Sequence, residues 1–82
     1  MDRYENINAF VRVVEAGGIS AAADRMNIAK SVISRRLKEL EQHLGVELFH
    51  RTTRQMNLTD SGRACYQQAT RILADILEAE HA

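Results

Sequence analysis

Between Tyr4 and Glu15, apolar residues recur at Ile7, Phe10, Val11 and Val14, the i, i+3, i+4, i+7 spacing of one helix face. That spacing predicts a first helix. Gly17 and Gly18 should end it, because glycine enters the left-handed cap without a Cβ penalty. Ser20 is placed to cap a second, short helix, "AAADRM", its hydroxyl accepting from the free N–H groups of the first turn. The small side chains of Ala22 and Ala23 would let another helix approach closely. Asn27 falls where the chain must turn, and asparagine tolerates positive φ better than most residues. Ile28 is then expected to tuck back into the core. A third helix is expected from about Ser31 to Leu44, with Ile33, Leu37, Leu40 and Leu44 as its buried stripe and Gly45 as its stop. Ser31, Ser34, Arg35, Lys38 and Gln42 occupy its opposite side.

Strand character is confined to "VELFHRTTRQMNLT". Phe49, Met56 and Leu58 could face inward on two short strands, with Thr52 to Gln55 as the tip. That tip contains no Gly or Asn to favour a tight hairpin turn. After Thr59 the helical period returns for about 20 residues, roughly 30 Å at 1.5 Å per residue. Tyr66, Ala69, Leu73, Ile76 and Leu77 form an apolar seam along this last helix, which is too long for a small domain to cover alone. The seam is expected to pair two chains; the plainer alternative is that it packs on the domain's own core.

Length and composition bound the reading. Eighty-two residues make one small domain, and domains of this size often borrow stability from a second chain. A single cysteine excludes a disulfide framework and suits a reducing compartment, here the cytoplasm. No apolar run approaches the length of a membrane span, and "MDRYENINAF" has no signal-peptide pattern. Net charge is zero, which at first argues against a nucleic-acid partner. The distribution reverses that. From Arg25 to Arg54, seven bases stand against three acids, a local net charge of +4 that the flanks cancel.

Two helices joined by a tight turn, the second basic on its outer face, make a helix-turn-helix. The second helix fits a DNA major groove, and the first braces it across the alanines. A basic hairpin after such a pair is the added element of a winged helix. The fold expected is therefore mainly α: a winged helix-turn-helix over residues 1–58, with a three-helix core and a short two-stranded wing, then a linker and dimerisation helix over 59–82. The plain alternative is a three-helix bundle with a solvated charged face.

Several segments also resemble a known family. "AFVRVVEAGGISAAA", "VISRRLKELEQHLGVELFHR", the "RTTR" tip and "LTDSG" opening the last helix look like the N-terminal DNA-binding domain of LysR-type transcriptional regulators. The resemblance runs from about residue 2 to 80. It implies double-stranded-DNA binding by a homodimer paired through the last helix, on an interrupted inverted repeat. Family members continue into a larger effector-binding domain, so the chain is expected to be a truncated form. A small-molecule effector would act only through that missing part, where a tetramer also remains open.

The resemblance places Lys30, Ser31, Val32, Arg35 and Arg36 on the outer face of the recognition helix, as base contacts. Arg35 and Arg36 lead, since arginine pairs with guanine O6 and N7; a phosphate contact is nearly as good a reading for Arg36. Val32 would meet a thymine methyl or pack on the helix before it. Ser20, Ser34 and Lys38 would meet phosphate, Ser20 also serving as a cap and Lys38 alternatively being a free surface charge. Arg54 resembles the family's minor-groove arginine, drawn in by the negative potential of a narrow groove. Arg51 would anchor the hairpin or touch phosphate, and Thr52 and Thr53 would donate to the DNA backbone. The family often has Ser-Gln-Pro where this chain has Ala29-Lys30-Ser31. Ala29 cannot cap as serine would, so Ser31 is expected to take over that role, starting the helix slightly later. Lys30 cannot offer adenine the bidentate amide of glutamine; it can donate to guanine or phosphate.

Little else carries chemistry. His43, His50 and His81 show no metal-ligand spacing with Cys65. No phosphate loop or nucleophile elbow is present. An enzyme is therefore not expected, nor is a cofactor. Cys65 reads as a small buried hydrophobe, with a redox-sensing thiol as the alternative. The competing function is a winged-helix protein-interaction module without specific DNA binding. Such a surface would want exposed aromatic or apolar anchors, whereas Tyr4, Phe10, Phe49 and Tyr66 fall on expected core or dimer positions.

Overall fold

The computed structural model describes residues 3–50 and 57–81. Its elements follow in the order α1 (Arg3–Ala16), α2 (Ile19–Met26), α3 (Lys30–Leu44), β1 (Phe49–His50), β2 (Asn57–Leu58) and α4 (Asp60–His81). The two strands pair antiparallel, Phe49 opposite Leu58 and His50 opposite Asn57. The expected tip, Thr52 to Gln55, and Met56 lie outside the described residues.

The α1 face is broader than four positions. Ala9, Phe10, Val11 and Val13 are buried, while Ile7 and Val14 pack half-buried at the margins. Phe10 is fully buried and meets Phe49 edge-on at 5.5 Å and Tyr66 at 6.4 Å between ring centroids. One residue thus ties α1 to β1 and α4, in the edge-to-face geometry that aromatic quadrupoles favour.

The helix ends follow backbone chemistry. Gly17 takes φ +88° and its N–H donates to the Val13 carbonyl at 2.9 Å. Asn27 sits in the left-handed region at φ 57°, ψ 45°, and the Ile28 N–H reaches back to the Ala23 carbonyl at 3.1 Å, closing α2. Gly45, at φ 72°, ends α3. The helix starts differ from expectation. Gly18, not Ser20, is the N-cap of α2; Ser20 lies exposed inside the first turn, past the capping position. Likewise Ala29 caps α3 with no side-chain bond, and Lys30 and Ser31 are already helical, so Ser31 is not the cap.

Ile33, Leu37 and Leu40 are buried, but Leu44 is exposed, because the last turn of α3 runs beyond the core. The loop that follows is fixed by Glu41, whose Oε2 accepts from the Leu48 N–H at 2.8 Å. Thr59 joins the wing to α4. Its Oγ1 accepts from the Gly62 N–H at 2.9 Å, an N-cap bond, and donates to the Glu47 carbonyl at 2.6 Å. Gly62 packs so tightly on β1's approach that a Cβ there would overlap the Leu48 carbonyl.

On α4 the residues of the expected seam divide between two faces. Ala69 and Leu73 are buried in the domain's own core, and Tyr66 is half-buried against Phe10. The contact that α1 makes with α4 occupies that face. Leu77, also of the expected seam, points outward together with Ile72, both about half exposed, and Ile76 is intermediate.

Candidate nucleic-acid interface

At 100° per residue, Ser31, Ser34, Arg35, Lys38 and Gln42 share one stripe of α3, opposite Ile33, Leu37 and Leu40. All five are exposed, as is Lys30 in the first turn. The stripe is possible because α2 supports the other side: Ala22 and Ala23 are buried, and their methyl-sized side chains bring the two helices together. Ser20 is exposed on the first turn of α2. Val32 is half-buried at the edge of the stripe.

Arg36 departs from the expected set. It lies about 140° around the helix from the stripe's centre, and its guanidinium pairs with Glu5 of α1, Nη2 to Oε2 at 3.3 Å. Its side chain is only 20% exposed. In this structure the Arg36 side chain thus bridges α3 to α1 and does not stand on the outward stripe. Arg51, Thr52, Thr53 and Arg54 lie outside the described residues. Among the described residues, no cluster of His, Cys, Asp and Glu could hold a metal ion, and no helix is long and apolar enough to cross a membrane.

A second surface lies elsewhere. Leu44, Val46, Ala64, Cys65, Gln68 and Ile72 line an open groove of about 380 Å³, with Ala69 at its edge. Among the described residues, Leu44, Val46, Ile72 and Leu77 are the large apolar side chains that, with Tyr4, remain exposed. Burial holds the Cys65 thiol's pKa above its ordinary value. The expected seam includes Leu77 and Ile76 on this outward side but not Cys65 or Ile72. The signal was present one residue before Tyr66, in Cys65, Ile72 and Ile76 at spacings of seven and four.

A three-helix core with a braced, outward basic helix and a two-stranded wing defines a winged helix-turn-helix protein. Residues 4–63 match the family described as bacterial regulatory helix-turn-helix protein, lysR family, and the chain belongs to that family. It is 46% identical over 76 residues to the HTH-type transcriptional regulator CrgA of Neisseria meningitidis, covering 93% of this chain and 25% of CrgA. It is 38% identical over 76 residues to the HTH-type transcriptional activator AaeR of Escherichia coli K12, with the same coverage. The chain spans about a quarter of the length of these relatives. Among solved structures, the complex of the BenM DNA-binding domain with catB site 1 DNA superposes with TM-score 0.92 at 32% identity, covering 99% of this chain and 89% of that one. The complex of the CbnR DNA-binding domain with DNA gives 0.90 at 34%, covering 99% and 92%.

Proposed function

We propose that this chain is the sequence-specific, double-stranded-DNA-binding portion of a bacterial transcriptional regulator, working in the cytoplasm and without enzymatic activity. The observation that carries the reading is the α3 stripe, in which Lys30, Ser31, Ser34, Arg35 and Lys38 stand exposed on a helix braced by Ala22 and Ala23. A helix of this kind fits the major groove with its outer side chains on base edges. Arg35 is the leading base reader, Lys30 donates to guanine or phosphate, and Ser34, Ser20 and Lys38 meet phosphate. Arg54 enters the adjacent minor groove.

Two copies act together. The outward face of α4, Ile72 and Leu77 with Leu44 and Val46 beside it, supplies the apolar surface for pairing. A symmetric pair holds two recognition helices at fixed separation and matches an interrupted inverted repeat. Residues 1–58 form the DNA-binding unit and 59–82 the linker helix, and an effector-binding domain continues the chain in the whole protein. In vitro selection of duplex DNA with this chain tests the reading. Enrichment of an interrupted inverted repeat is expected; recovery of unselected sequence would leave a protein-interaction module as the better account.

A further inference from the structure

The Glu5–Arg36 pair crosses between two helices that the rest of the core already holds together. Glu5 lies in the first turn of α1, half exposed, while Arg36 lies on the flank of α3, neighbour in sequence to the outward Arg35. An arginine on the flank of a recognition helix is a hazard to selectivity. Its long stem lets it swing onto any phosphate, and phosphate contacts add affinity without reading sequence. From the distance and the low exposure of Arg36, we infer that Glu5 is a specificity-determining positioning residue: it holds Arg36 against α1 and withholds that cation from DNA. Arg35, Lys30 and Lys38 have no such partner among the contacts described, so the division of labour on α3 is set by a carboxylate on another helix. This inference rests on the DNA-binding reading.

The pair is part-exposed, so its hold is modest, on the order of a few-fold in population. Glu5→Gln, nearly the same shape, should release Arg36. One added phosphate contact steepens the fall of log affinity with log salt by about 0.9 per chain, which is an extra loss of about 3.5-fold per chain between 50 mM and 200 mM salt. Affinity for unselected duplex should rise a few-fold at low salt, and the ratio of selected to unselected binding should fall by a similar factor. Glu5→Asp should restore part of the selectivity.

The experiment measures salt titrations on a selected and an unselected duplex for wild type, Glu5→Gln, Arg36→Met, the double variant and Arg35→Ala. Thermal melts of the free chains give the Glu5–Arg36 coupling without DNA. Arg36→Met should leave the wild-type slope unchanged, Arg35→Ala should reduce it, and Glu5→Gln should steepen it only where Arg36 is present. A wild-type slope that drops with Arg36→Met overturns the inference, since Arg36 then already contacts phosphate. So does a Glu5→Gln effect that persists in the double variant, which would be loss of a repulsive charge alone. Absence of coupling in the free chains overturns it while leaving DNA binding intact. A wild type that binds no duplex removes the DNA-binding reading and this inference with it.

Discussion

Leu73 and Ile72 are neighbours on α4, yet truncating them should have opposite consequences. Leu73 is 6% exposed and belongs to the core; Ile72 is 45% exposed and lines the outer groove. Leu73→Ala removes three buried carbons, about 2.4 kcal/mol of transfer free energy at ~0.8 kcal/mol each. The cavity left behind brings the cost to about 3 kcal/mol, inside the ~2–5 kcal/mol range for such changes. For a domain with ~0.05–0.15 kcal/mol of stability per residue, that is a quarter or more of the total. It should lower Tm by roughly 12–24 °C, at ~4–8 °C per kcal/mol. Ile72→Ala loses about half as much transfer free energy, because half of the side chain is already in water, and alanine's better helix propensity offsets some of it. Its cost within one chain should stay under about 1 kcal/mol. Its effect belongs to association. Circular dichroism melts at several protein concentrations, with sedimentation equilibrium, separate the two. Leu73→Ala should melt early at every concentration. Ile72→Ala should match wild type when dilute and lose the concentration-dependent gain in Tm that pairing gives. The assignment of faces is refuted if Leu73→Ala melts within about 4 °C of wild type when dilute, or if Ile72→Ala destabilises the dilute chain as much as Leu73→Ala does.

Gly62→Ala should destabilise by about 2 kcal/mol or more in urea melts, since the added Cβ would overlap the Leu48 carbonyl and lie 2.9 Å from Leu58 Cδ2; an unchanged midpoint would mean that β1 and α4 part readily. Burial raises the Cys65 pKa, so folded chain should react with iodoacetamide more slowly than unfolded chain, with a pH midpoint above the free-thiol value. The corresponding stability is intact below the unfolded pKa and falls as pH rises toward the folded one, because only the unfolded thiol ionises in that window; a thiol as reactive as free cysteine would contradict this. Arg54→Ala should weaken binding more on sites with A·T-rich flanks than on G·C-rich ones, and equal losses in parallel titrations would make Arg54 a phosphate contact only.

What was legible in the sequence was what a residue decides locally. Asn27 and Gly45 adopt left-handed backbone because few other residues can, and Ile33, Leu37 and Leu40 are buried because their period leaves one side for them. Errors arose where a neighbouring element decides. Ser20 has the chemistry of a cap, but the N-cap of α2 is Gly18, so its hydroxyl arrives two residues too late. Leu44 keeps the period of its stripe but has no core left beneath it. The charge of Arg36 points to the outer face, whereas its phase on the helix places it beside the buried stripe, where it meets Glu5. On α4, two apolar lines run about one residue apart, and periodicity alone does not say which meets α1 and which awaits another chain. Glu5 gave no signal, because its role exists only once α1 lies across α3.

A chain with zero net charge can still present a strongly basic end, and the helices show how. Electrostatic association responds to charge within about a Debye length, ~8–10 Å near physiological salt, rather than to the molecular sum. Arg35 and Lys38 stand on one exposed stripe of α3, and Lys30 is exposed in its first turn. Of the acids nearby, Glu5 faces Arg36, Glu41 turns to the Leu48 N–H, and Glu39 lies on α3 off the stripe's centre. Asp75, Glu78 and Glu80 occupy the end of α4, past Leu73, its last buried residue. From Leu73 to Glu80 the helix advances about 10 Å, a full screening length beyond the core. An anionic surface approaching α3 therefore meets Lys30, Arg35 and Lys38 as a local excess of positive charge. The neutrality of the chain therefore does not describe the charge that α3 presents to a partner.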